Sequence, residues 1–264
     1  MITVYNTEEG RLREREEITP GAWVDLCAPT EEEILRVSTQ LELDPAAIRA
    51  ALDEEERSRI EAEDDYLLVL VDTPCVEEQS KRGFVYTTLP FGIILTQDNI
   101  ITVCLKESAL ARAFTDSPVK NFSTRKKNRM TLQMLYRNAT LFLFYLRELE
   151  KASNRVENEL HVSMRNKELI QMLGLEKSLV YFSTSLKGNE LVLEKLLRMD
   201  FVKNFPDDTD LLEEVIIENK QAIEMANIYR DILNGTMNTF SSVMSNNLNT
   251  VMKVLASLTV VLTI

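Results

Sequence analysis

Histidine occurs once in the 264 residues, as His161, so neither an imidazole cage for a metal nor a His-based catalytic triad can be assembled. In its polar helical surroundings, His161 reads as a surface residue. Glycine is scarce, at seven, and none stands in G-x-G-x-x-G or G-x-x-x-x-G-K-[ST] spacing, which leaves nucleotide binding without a sequence motif. Carboxylate pairs are common but have no accompanying nucleophile or pocket signature, and an enzyme is not expected. The three cysteines, Cys27, Cys75 and Cys104, stand far apart in apolar contexts with no CxxC, as buried free thiols of a reducing cytosol do. The N-terminus has neither a basic stretch nor an apolar core, so no signal peptide is expected. No uncharged apolar run reaches the ~20 residues that cross a bilayer.

Charge is abundant and unevenly placed. The net charge is −12, yet residues 1–80 hold 22 acids against 7 bases while the remainder is slightly basic. Nucleic acid is therefore not an expected partner of the N-terminal part, since phosphate binding needs clustered Lys and Arg. A cation suits it better. The acids at 53–56 run without interruption; such a run is either a solvated surface or a site for hydrated Mg2+, which one or two carboxylates hold through retained waters.

The first part of the chain alternates strand and helix signals. Residues 2–5 and 22–26 favour strands, and Thr30 with Glu33 has capping-box spacing ahead of Ile34, Leu35, Val37 and Leu41. A second helix opens at Asp44–Pro45 and runs to about Leu52. Strands are expected at 57–63 and 66–76, then at 84–96 and 100–105 as a hairpin across 97–99. Their apolar runs are nearly continuous, which predicts a mixed sheet covered on both faces by helices. A short helix at 107–115 and a turn at 116–118 close an α/β domain of residues 1–118. The basic cluster Arg125, Lys126, Lys127 and Arg129 reads as linker and helix start, or as a contact for acidic surfaces of a neighbouring subunit. Residues 128–205 read as two long antiparallel helices with a break near Asn166 or Gly174.

The last segment, 206–264, contains one glycine and no proline after Pro206, and opens with Asp207, Asp208 and Asp210 as an acidic first turn. It reads as one stalk helix of about 87 Å at 1.5 Å per residue. After Asp231 the only charge is Lys253, and residues 254–264 are wholly uncharged. This end reads as the start of a transmembrane helix, with an apolar helix buried in a protein partner as the alternative. Asn238, Ser242, Ser245, Asn249, Met252, Ala256, Thr259 and Thr263 recur at alternating steps of four and three, one stripe at the 3.5 period. Such a stripe either lets helices approach closely in a membrane or lines a wet axis between several copies.

The string Asn249-Thr250-Val251-Met252-Lys253-Val254-Leu255 resembles the Asn-x-Val-Met-Lys-x-Leu signature at the base of the first transmembrane helix of the CorA magnesium and cobalt transporters. The resemblance extends through residues 182–187, 189–197 and the acidic run 53–61, and so covers most of the chain. It implies a funnel-shaped homopentamer in the cell (inner) membrane, with residues 1–253 cytoplasmic and the stalks lining the axis. The implied cargo is Mg2+ moving inward, with Co2+ or Ni2+ as further cargo, and no organic cofactor. A zinc transporter of the same superfamily and a soluble helical scaffold are the competing readings. The resemblance further implies that Asn238 and Asn249 face the pore and that Met252 and Leu255 form its apolar constrictions. It also implies a regulatory Mg2+ between subunits, held by a stalk acid at Glu214. The N-terminal counterpart falls near Ala50, which places the second ligand one helical turn on, at Asp53.

Overall fold

The computed structural model describes residues 1–79, 83–116, 119–163, 166–199, 201 and 206–263. A seven-stranded mixed sheet is built from β1 (Ile2–Glu8), β2 (Arg11–Arg15), β3 (Trp23–Cys27), β4 (Arg59–Ala62), β5 (Tyr66–Gln79), β6 (Gly83–Thr96) and β7 (Ile100–Cys104). The order is β2-β1-β3-β7-β6-β5-β4, and only β3 and β7 run parallel. β2, with the sequence RLRER, was not anticipated. It is a charged, exposed edge strand reached through Glu9 and Gly10, both at positive φ, and charge on such an edge discourages pairing with another chain.

One face of the sheet carries α1 (Glu31–Leu41) and α2 (Pro45–Ala50). Thr30 and Glu33 form the expected capping box, and Asp44 caps α2 with Pro45 at its first position. Val24, Leu26, Leu68, Leu70, Ile94 and Ile101 meet Ile34, Val37 and Ile48 there. α2 seats this closely because β6 has Gly92 beneath it; a Cβ at that position would stand 2.7 Å from the Cβ of Ala51.

The other face, with Trp23, Val69, Phe91, Ile93 and Ile100, is covered by α3 (Ala109–Thr115), α4 (Lys127–Ser163), α5 (Asn166–Arg198) and the foot of α6 (Pro206–Leu262). α3 starts two residues later than expected because Ser108 caps it. Gly174 lies inside α5 with open space around it, so the chain does not break there. Residues 164–165, between α4 and α5, lie outside the described residues, as do 117–118 of the expected closing turn and residue 205 at the expected end of the helical pair. The His161 side chain is likewise outside them. Beyond the sheet, α4, α5 and α6 share a second core, in which Phe142, Phe182, Leu186, Ala222, Ala226 and Phe240 are buried. The cysteines are free; Cys104 is buried and Cys27 and Cys75 are half-buried.

Candidate functional site

The stalk α6 is a single helix of 57 residues, about 86 Å long at the α-helical rise. Its surroundings change twice along its length. At the foot, Asp208 is buried and takes the Arg129 guanidinium at 2.6 Å, while Leu212 and Val215 enter the sheet-side core. Asn219, fully enclosed, donates through Nδ2 to the Leu186 carbonyl at 3.0 Å, which ties the stalk to α5.

In the middle, Ala222 and Ala226 have no side-chain bulk to hold the helices apart, and Leu233 and Phe240 extend the shared core. Tyr229 donates to Glu150 on α4 at 2.9 Å; burial first, then the nearby carboxylate, pushes its phenol above the ordinary range.

Past Phe240 no residue of the stalk is buried among the described residues. Leu248, Val251, Met252, Val254, Leu255, Leu258 and Val260 are all more than half exposed, on every side of the helix. Lys253 is the only charge among them. Free-standing apolar surface of this kind calls for lipid or other helices. Even so, among the described residues no helix is long and apolar enough to cross a membrane. The hydroxyls of Ser241, Ser242, Thr250, Ser257, Thr259 and Thr263 each donate to the carbonyl four residues back, at 2.8–3.0 Å. Their donors are thus satisfied inside the helix, as a segment leaving water requires. Asn238 and Asn249 differ: both are exposed, and among the described residues neither carboxamide has a hydrogen-bond partner. All eight positions of the 3.5-period stripe are exposed.

The two expected metal-binding acids do not meet within the chain. Asp53 follows α2 and is exposed; its Oδ1 accepts from the Glu55 amide at 3.0 Å, closing a turn. Glu56 of the same run is spent on Arg59, at 2.7 Å. Glu214 is exposed on the third turn of α6, which packs on the opposite face of the sheet from α2. Among the described residues no group of three His, Cys, Asp or Glu comes within reach of one ion.

A polar seam that sequence reasoning missed runs between sheet and helices. The Asn189 carboxamide on α5 accepts from the Asp72 amide at 2.9 Å and from Ser58 Oγ at 3.1 Å, and donates to the Asp72 carbonyl at 2.9 Å. Asn138 of α4 donates to the same carbonyl at 2.8 Å, and Thr88 and Ser185 hydroxyls meet at 2.8 Å. Asparagine inside a helix was the available signal, since it pays there only with a tertiary partner. Burial pushes the Asp72 carboxyl above the ordinary range, and a hydrogen bond from Ser185 partly offsets it.

A family model described as "CorA-like Mg2+ transporter protein" matches residues 21–264. The chain is 26% identical over 253 residues to the cobalt/magnesium transport protein CorA of Methanocaldococcus jannaschii, covering 90% of this chain and 75% of that one. The complete structure of the CorA magnesium transporter from the same organism superposes with a TM-score of 0.84 at 22% identity, over 97% of this chain and 81% of the other. The ZntB cytoplasmic domain from Vibrio parahaemolyticus superposes at 0.68 with 13% identity, over 94% and 97%. The mixed sheet, the long helices and the C-terminal stalk are the fold these structures share.

Proposed function

The chain belongs to the CorA-like Mg2+ transporter family, and from that premise we propose that it forms the cytosolic regulatory part and the pore-helix base of a divalent-cation channel or transporter. Mg2+ is the cargo, with Co2+ or Ni2+ alongside it, and cytosolic Mg2+ gates the passage. The observation that carries this reading is the stalk past Phe240, stripped of charge except at Lys253 and exposed on every side. In this reading five copies close around an axis along the stripe. The free carboxamides of Asn238 and Asn249 face that axis, where amide oxygens accept hydrogen bonds from the water shell of Mg2+ without binding it as tightly as carboxylates would. Met252 and Leu255 close it by dewetting. Lys253 sits at the inner membrane boundary, as positive-inside placement requires. No enzymatic step is invoked.

Regulation falls to Asp53 and Glu214. Because α2 and α6 lie on opposite faces of the sheet, a cation touching both acids joins two chains and stabilises the assembly by mass action. The strongly acidic first 80 residues repel one another between copies, and a divalent ion relieves this.

The test is Mg2+ uptake in cells producing the protein, with Zn2+ uptake measured in parallel. Asn249→Ala should lower Mg2+ uptake severalfold with the circular dichroism melt unchanged; normal uptake in that variant removes Asn249 from the pore. Zn2+ uptake without Mg2+ uptake would move the protein to the zinc reading. In a companion melt, millimolar Mg2+ should raise the melting temperature of the native chain more than that of Asp53→Ala with Glu214→Ala. Equal shifts would exclude these two acids as the sensor.

A further inference from the structure

The foot of the stalk lies beside the start of α4. Phe122, Arg125, Lys126, Arg129, Pro206 and Asp207 are among the walls of a cavity of about 890 Å³ between them. Two of the local cations are already engaged: Lys127 donates to the carbonyls of Thr96 and Gln97, and Arg129 holds Asp208. Arg125 and Lys126 are exposed, and among the described residues neither pairs with an acid, in a chain whose net charge is −12. Arg125 is held in place by Gly21, at φ +83°; a Cβ there would come within 2.9 Å of Arg125 Cγ, so only glycine lets the stem lie across it. α4 begins at Lys127 with no acid in its first turn, and its leading N–H groups add to the positive field. A second cavity of about 400 Å³ shares the Arg129 wall; Phe114, Val119, Tyr136 and Leu211 give it a mainly apolar and aromatic lining, to which Gln133 and Arg137 add polar groups. A cationic chamber beside an apolar recess matches an anion that carries a flat organic body.

We propose that this double cavity binds a nucleotide-type polyphosphate, with the phosphates on Arg125, Lys126 and the first turn of α4 and the ring in the recess of Phe114, Tyr136 and Leu211. Charge-assisted hydrogen bonds hold the phosphates, and no glycine-rich loop is needed because the cavity itself supplies the cradle. Since Pro206 and Asp207 form part of the wall, the ligand touches the stalk at the end remote from the stripe. The site is independent of what the stalk conducts.

The purified chain is titrated calorimetrically with ATP, adenosine and inorganic tripolyphosphate at low salt, in EDTA so that Mg2+ chelation contributes no heat. ATP should saturate near one per chain, tripolyphosphate should bind about tenfold more weakly, and adenosine should give no signal, one lost set of contacts being worth about a factor of ten. Arg125→Gln with Lys126→Gln, both exposed, should weaken ATP by at least about tenfold without changing the thermal melt. Tyr136→Ala should bring ATP down to the level of tripolyphosphate and leave tripolyphosphate itself unaltered. Absence of saturation at millimolar ATP, equal binding by the double variant, or equal affinity for ATP and tripolyphosphate would each overturn the proposal. So would a double variant that changes only the sedimentation of the chain, since the cluster would then be a subunit contact.

Discussion

Replacing Asn189 by alanine tests how the helical layer is registered on the sheet. β4 ends its pairing at Arg59 opposite Leu70, so no strand lies beside Asp72 on that side, and across β6 the residue facing Asp72 is Pro90, which has no N–H. The Asp72 carbonyl therefore has no strand N–H to accept from, and both its carbonyl and its amide turn to the helices. Asn189 takes the strand's place: its carboxamide accepts from the Asp72 amide and donates to the Asp72 carbonyl, both at 2.9 Å, as a peptide group would. In Asn189→Ala the Asp72 carbonyl keeps Asn138, but the Asp72 amide and the Ser58 hydroxyl lose their acceptor. An orphaned donor in a part-buried seam costs about 1–3 kcal/mol, and the small cavity left by the carboxamide adds to it, for a total of about 2–4 kcal/mol. For a chain of this size that is a fall of about 5–15 °C in melting temperature. Urea unfolding followed by circular dichroism at fixed protein concentration measures it, because oligomerisation would otherwise shift the midpoint. Asn189→Asp keeps the acceptor, loses the donor and sets a carboxylate against the Asp72 carbonyl, so its loss should exceed that of alanine at neutral pH. A change below about 0.5 kcal/mol in Asn189→Ala would refute the reasoning, because such small changes are ordinary for surface sites without special partners.

Asp25 on β3 accepts from Thr102 at 2.6 Å, and burial, only partly countered by that bond, holds its carboxyl above the usual carboxylate range. A raised carboxyl contributes its stability when neutral, fully below its unfolded value near pH 4, and loses it as pH climbs through the folded value. Asp25→Asn, which still accepts from Thr102, should therefore raise the melting temperature at pH 7 and flatten the decline above pH 4; destabilisation at pH 7 would contradict this. Gly92→Ala should cost about 1–3 kcal/mol by overpacking, because its Cβ would meet Ala51 at 2.7 Å, and an unchanged urea midpoint would show that α2 can shift. Met252→Ser, on the exposed part of the stalk, should leave folding intact and increase resting flux in liposomes containing the protein; unchanged flux would remove Met252 from the constriction.

Much of the architecture is written in local pattern. The capping box at Thr30, the Asp44–Pro45 start and the long stretch without proline that becomes α6 all appear where neighbouring residues place them, since each depends on groups within a turn or two. The apolar runs likewise announced a sheet with two covered faces, and the Val-Met-Lys string pointed to the family now shown. Other features lay beyond local pattern. β2 was missed because its charged residues carry no apolar alternation, although Glu9–Gly10 marked its turn. The parallel join of β3 to β7 and the strand role of Asn189 depend on residues brought together from far along the chain, Ser58 and Asn189 being 131 positions apart. The same holds for the meeting of Arg129 with Asp208 and the cavity it bounds. Helix and strand are decided by neighbours in sequence, whereas register, layer and pocket are decided only when apolar faces choose which partners to bury against.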